Sequence, residues 1–237
     1  MSATMLGGYS GTYAYQPSGG ELVLYAFGRC GIRGPELQAE HMRDARTAAN
    51  MVLADWGNDQ PNLWTVELTT VQCVVGQAQY AVPNNVALIL DAYLELNPGS
   101  GQSTQDLYMY PISRTEWAQF PDKEAQGRPT VYWFDRLVSP TVTIWQVPDS
   151  SVYTFNYYSV SQVQDFNLAN AQQPQVPYLF LKAFADALSA ELAVIYAPER
   201  AVALAAAAAQ SYGKAKNFNA ERSPIYISPG ISGYYNR

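Results

Sequence analysis

Apolar residues recur every three or four positions near both ends of this chain and every second position through its middle. That double change of period constrains the fold more than any other feature. In the N-terminal part, Ala45, Ala49, Val52, Leu53 and Trp56 form one helical stripe, with Glu36, Glu40, Arg43, Thr47 and Asn50 on the opposite side. The spacing predicts a helix from Pro35 to Trp56, with Pro at the favoured first position and Gly57-Asn58-Asp59 as its stop. Gly20 to Arg29 reads as a shorter helix, ended by Gly28 and Gly31. Near the C-terminus, Pro177 to Tyr196 carries Leu181, Phe184, Leu188, Leu192 and Ile195 on one face, and Lys182, Asp186 and Ser189 on another. Pro198 then opens a helix through an alanine run to about Lys216, either after a corner or as the continuation of one kinked helix.

The middle alternates. Strands are predicted over Trp64 to Val71, Gln79 to Val82, Ala87 to Leu96, Asp106 to Ile112, Pro129 to Arg136, Thr141 to Val147 and Val152 to Val160. Gly76-Gln77 suggests a hairpin turn between the first two, and Asn97 to Gly101 a loop. Ser113-Arg-Thr-Glu116 matches a capping box and predicts a short helix to about Phe120. Helices, strands and helices in that order argue against an interleaved parallel sheet. The fold class is therefore α+β: an N- and C-terminal helical bundle with an inserted antiparallel β-domain and an extended C-terminal arm. The expected division is an N-terminal arm at 1–19, a helical domain at 20–62 and 176–216, a β-domain at 63–175 and a C-terminal arm at 217–237.

Few residues carry charge, 14% of the 237, while 18 tyrosines and many uncharged polar residues fill their place. Tyrosine brings large contact area with a polar tip and is enriched where proteins meet, so burial in an assembly is the expected use of this surface. The 14 Lys and Arg are dispersed and the net charge is −6, which argues against tight binding of nucleic acid phosphates. Aromatics gather at Tyr108, Tyr110, Trp117, Tyr132, Trp133, Phe134, Trp145, Tyr153, Phe155, Tyr157 and Tyr158, without the cationic groove that single-strand stacking normally needs. They read as core and interface. Cys30 and Cys73 stand in unrelated contexts and read as buried thiols. His41 is the single histidine, too little for a His-based triad with partners in view or for a zinc site. Glu116, Asp122, Asp135 and Asp91 remain as acids from which a carboxylate pair could be drawn. No cofactor, metal or catalytic residue is assigned, and the protein is read as not an enzyme. No signal peptide or membrane span is read, so the expected place of synthesis is a host cytoplasm.

Several segments together resemble the head-to-tail adaptor family of short-tailed bacteriophages, also called head-completion or packaged-DNA-stabilisation proteins. They are the helix Ala39–Trp56, the pair Gln79–Pro83 and Ile89–Ala92, Tyr110–Trp117 with Gly127–Tyr132, Val142–Asp149 with Phe155–Tyr157, and Pro177 through the long helices. The resemblance covers residues 21–215 in order and spacing. It implies a virion protein at the head–tail interface, assembled as a ring, expected to be dodecameric in the family's manner, between the portal protein and a tail nozzle or tail-tube protein. Genomic DNA would pass through its lumen without specific binding. It also implies that the C-terminal arm docks on the portal, where Ile225, Tyr226, Ile227, Tyr234 and Tyr235 can fill grooves. The N-terminal arm has no assigned counterpart. The alternatives are a ring of the tail tube or nozzle, and a cell-wall hydrolase using paired carboxylates.

Overall fold

The computed structural model of the chain describes residues 12–13, 15–59, 63–96, 103–168 and 172–219. Helix α1 spans Gly19–Cys30. Ser18 caps it: the Glu21 backbone N–H donates to Ser18 Oγ at 3.3 Å, and the Ser18 N–H donates to the Glu21 carboxylate at 2.8 Å. Gly28 is passed through, and the helix ends at Gly31, whose φ of 96° lies in the left-handed region. A β-carbon there would also come within 3.1 Å of the Arg200 guanidinium.

Pro35 does not open the second helix. It sits in a separate 3-10 turn, Gly34–Glu36, after which Leu37 is extended. Helix α2 starts at Ala39 and runs to Asp59. Its start is fixed by His41, whose Nδ1 accepts the Gln38 N–H at 2.9 Å. The predicted stripe Ala45, Ala49, Val52, Leu53 and Trp56 is the buried face. The helix continues through Gly57 because Asp59 is gripped from outside: Lys216 Nζ donates to it at 2.6 Å and Tyr212 Oη at 2.9 Å.

Helix α4 is Tyr178–Tyr196 and α5 is Pro198–Asn219, with Ala197 between them, so the corner is real and the two are not one kinked helix. α4 departs from its predicted pattern at three residues. Ile195 is exposed, whereas Asp186 and Ser189, placed by periodicity on a polar face, are buried. The reason is position: α1, α2 and α5 all pack on α4, so it has no solvent side along its middle. Ser189 Oγ satisfies itself on the Ala185 carbonyl at 2.6 Å. Asp186 receives Arg29 from α1, and Lys182 Nζ at 2.9 Å from one turn earlier. Trp56, Phe166, Phe180, Phe184 and Tyr212 form an aromatic cluster at the centre, with Trp56 and Tyr212 stacked at 4.8 Å.

The β part holds a seven-stranded sheet in the order β1 (Val66–Gln72), β9 (Tyr153–Ser161), β3 (Val86–Leu96), β4 (Gln105–Pro111), β6 (Val131–Asp135), β7 (Thr141–Trp145) and β2 (Gln79–Ala81). A two-stranded pair, β5 (Gln126–Gly127) with β8 (Val147–Pro148), stands apart. The sheet is mixed rather than wholly antiparallel: β4 and β6 pair in parallel at Tyr110 and Val131. The connection between them contains the capped helix α3, Arg114–Gln119, and a crossover of that kind returns the chain in the same direction. The Gly76 turn exists, with φ of 79° and a Gln77 N–H to Val74 C=O bond of 3.1 Å, but it does not make a hairpin. β1 pairs with β9 and β2 with β7, at opposite ends of the strand order. Flat, seven strands would put those edges roughly 29 Å apart at about 4.8 Å per strand. The six residues 73–78 include a tight turn and cannot bridge that, so the sheet curls until its edges approach. Tyr80 Oη accepts the Val74 N–H at 3.0 Å across the resulting seam.

The buried apolar residues fall into two clusters. One gathers α1, α2, α4 and α5 with Phe166; the other fills the curled sheet from Cys73 to Tyr157. Segment 162–168 leaves the sheet and is pinned to α2 by Asn50, whose amide donates to the Phe166 carbonyl at 3.2 Å and accepts its N–H at 2.8 Å.

Arg29→Met removes the longer-reaching partner of a buried carboxylate, and the expected loss is about 3 kcal/mol in urea unfolding. Arg29→Met with Asp186→Leu removes both charges and is expected to recover most of that loss. A double variant as unstable as the single one would show that the pair is not what Asp186 depends on.

Candidate assembly surfaces

Of the acids weighed as a catalytic pair, Glu116, Asp122 and Asp91 are engaged in separate hydrogen bonds, and Asp135 is half-buried at the end of β6. Glu116 closes the capping box of α3: it accepts the Ser113 N–H at 2.7 Å, and hydrogen bonds from Ser113 hold its carboxyl below the usual carboxylate range. A general acid needs the opposite shift. Asp122 accepts the Glu124 N–H at 2.9 Å, and Asp91 accepts the Tyr108 hydroxyl at 3.4 Å. Among the described residues no three His, Cys, Asp or Glu come together as a metal-binding group, and no helix is long and apolar enough to cross a membrane. His41 packs edge-on to Phe27 at 5.5 Å while it caps α2. Cys30 and Cys73 are free and buried in different apolar clusters, and burial pushes both thiols up.

The aromatics of the middle segment divide by face. Tyr132, Tyr153, Phe155 and Tyr157 point into the curled sheet, where burial pushes the Tyr132 phenol up to about 12. Trp133 and Trp145 point outward and are roofed by α3 and the chain after it, with Trp117 stacked on Trp133 at 6.2 Å and Phe120 tilted against Trp145 at 4.4 Å. Tyr108, Tyr110 and Tyr158 remain exposed on the outer face of β1, β9, β3 and β4. Cross-strand register places Leu68 beside Tyr158, Tyr158 beside Asp91, and Tyr93 beside Tyr108. Glu95 lies beside Asp106 on the same face, and no Lys or Arg occupies any of these strands. The result is a tyrosine-rich, acidic sheet surface.

A second exposed surface lies on the helices. Tyr15 and Pro17 run before α1, and with Leu22 and Tyr25 of α1 and Tyr178, Leu179 and Leu181 of α4 they line a groove of about 470 Å³. Tyr15, Tyr25 and Tyr178 are 73%, 51% and 71% exposed, far more than a ring left to pack on its own fold. A neighbouring groove of about 430 Å³ between α4 and α5 shares Leu179 and Lys182 with the first and ends at Phe218. The entering and leaving ends of the described chain therefore meet on either side of the first turns of α4. The residues assigned to portal docking, Ile225, Tyr226, Ile227, Tyr234 and Tyr235, lie outside the described residues, as does most of the N-terminal arm. Helix α5 itself reaches Asn219, beyond the expected end near Lys216.

Sequence reasoning did not find the groove on α1 and α4. Its one signal was large apolar residues off the buried stripes: Leu24 and Tyr25 on α1, Tyr178 and Leu179 on α4.

The sequence profile of the family described as SU10 adaptor protein matches residues 34–229, most of the chain. No curated protein matches it.

The clasp of Asp59 with Lys216 and Tyr212, which joins α2 to α5, has an acid limit. Hydrogen bonds from Lys216 and then Tyr212 hold the Asp59 carboxyl below its ordinary range. The stabilisation is present above the unfolded value of about 3.9 and is lost as pH falls through the lower folded value. Asp59→Asn is expected to shrink the fall in melting temperature between about pH 5 and pH 2. An unchanged fall in thermal scans would show that Asp59 plays no part in acid unfolding.

Proposed function

The chain belongs to the SU10 adaptor protein family, a family of bacteriophage structural adaptors, and from that premise we propose that it is the ring subunit joining portal to tail. The observation that carries the reading is the exposed aromatic surface around the first turns of α4, where both ends of the described chain converge. A subunit that must seize neighbours benefits from rings held on a rigid helix pair and from chain ends that leave beside them. In this reading the helical part (20–62 and 176–216) faces the portal and the β part (63–175) faces the next tail component. The arm beyond α5 docks on the portal through Ile225, Tyr226, Ile227, Tyr234 and Tyr235.

Assembly would be driven by contacts of one kind repeated around a ring of about a dozen copies, so that modest affinity per arm becomes strong attachment overall. The completed ring seals the filled head and leaves a lumen for the genome. The net charge of −6 and the acidic outer sheet favour passage, because every phosphate gripped by Lys or Arg would have to be released for DNA to move.

Cutting the chain after Asn219 tests the docking assignment while leaving α5 whole. The shortened protein is expected to melt within a few degrees of the full chain, since no described core residue is removed. Mixed with purified portal rings, it is expected to give no portal–adaptor complex by sedimentation or electron microscopy. Complete complexes from the shortened chain would overturn the assignment.

A further inference from the structure

The groove on α1 and α4 is lined by aromatic and apolar side chains that the described fold leaves exposed. Tyr15, Tyr25, Tyr178 and Leu179 surround a floor of Leu22 and Leu181, with a volume of about 470 Å³. A space of that size takes two or three large side chains, not a folded partner. It is also close to a chain end. Phe218, one residue before the end of α5, lies on the adjoining groove, and Leu179 and Lys182 belong to both.

The residues after Asn219 fit the space in order and length. The first five, Ala220-Glu-Arg-Ser-Pro224, are short or polar and can act as a spacer. Ile225-Tyr226-Ile227 then offers three large apolar side chains in succession, before Pro229 and Gly230. A five-residue spacer reaches about 17 Å when extended. The far wall of the groove lies across α4, about 10 Å, one helix diameter, from the wall that it shares with the Phe218 groove. The remaining 18 residues, 220–237, therefore cover the distance with chain to spare.

We propose that in the free subunit this groove is the seat of the chain's own C-terminal segment, with Ile225, Tyr226 and Ile227 packed between Tyr25 and Tyr178. The same residues then cannot hold the groove and the portal together. Self-docking does not depend on the portal-docking reading above. An intramolecular seat is favoured by a short tether, which holds the segment at an effective concentration in the millimolar range.

Hydroxyl-radical footprinting of the full chain in dilute solution tests self-docking without any portal present. Labelling of Tyr25 and Tyr178 is expected to rise about threefold when the chain is cut after Asn219, with Tyr110 on the sheet unchanged as the internal reference. Ile225→Ser with Tyr226→Ser in the full-length chain is expected to give the same rise, which separates loss of the apolar contact from mere shortening. A synthetic peptide of residues 220–237 added to the cut protein is expected to restore protection. Equal labelling of Tyr25 and Tyr178 in all forms would overturn the inference, as would protection that appears only when the full chain is concentrated, which would put the segment in another copy's groove. Neither result would touch portal docking, which the portal-binding assay reads separately.

Discussion

A carboxylate in the middle of a packed helix bundle is tolerated only if its charge is met, and at Asp186 that requirement ties three helices together. Arg29 reaches it from the last turn of α1, and Lys182 from one turn earlier in α4. Arg29 is itself held at the point where α1 ends, because Arg200 Nη1 of α5 donates to the Arg29 carbonyl at 3.1 Å. Gly31, left-handed and without a side chain, leaves the room that the Arg200 guanidinium occupies. These contacts set how α1 lies on α4, beside their shared apolar core, and those two helices are the walls of the exposed groove. The ion pair is thus a device of alignment more than of net stability, since a matched apolar pair could replace it at little cost.

The two apolar clusters are held in relation by a few contacts of the same kind. Asn50 commits both halves of its amide to the backbone of Phe166, whose ring packs 5.6 Å from Phe184. Trp64, just before the first strand, packs on Phe180 at 4.6 Å. Each crossing between helices and sheet therefore carries an aromatic anchor that belongs to the helical core. The sheet needs no such anchor along its length. Its six-residue link from β1 to β2 forces the outer strands together, and curling encloses Phe155, Tyr157, Met109 and Ile144 without a second layer.

Much of this was legible in sequence because local rules and tertiary demands agree. The α2 stripe, the Ser113–Glu116 box, the alternating strands and the Pro198 corner all follow from period and capping chemistry. Most of the failures share one cause: information held by a partner distant in sequence. Asp186 and Ser189 read as a polar face because periodicity assumes that a helix has a wet side, and α4 has none at its middle. Pro35 is the exception: the His41 cap on Gln38 is local, but histidine is not among the usual capping residues, so the proline drew the helix start. Gly76 read as a hairpin because a turn sequence says that the chain reverses, not which strand it will pair with. The parallel pairing of β4 with β6 was hidden for the same reason. The exposed groove was harder still, since an interface residue differs from a core residue only by lying off the buried stripe.

The shortage of charge ties the surfaces to an assembled life. Surface ion pairs contribute little each and weaken with salt, whereas a phenol brings apolar area together with a hydroxyl that stays satisfied in water or in contact. Tyr15, Tyr25, Tyr110 and Tyr178 are rings of this kind, exposed on the described fold and able to be buried by an arriving chain segment or subunit. The scaffold beneath them is rigid, so little ordering cost remains to be met there on contact. The acids gathered on the outer sheet act in the complementary sense: Asp91, Glu95 and Asp106, with no base on their strands, resist collapse of one copy's sheet onto the same face of another. Like faces repel, and that repulsion disfavours symmetric pairing of two copies through the sheet while leaving the helical surfaces unaffected.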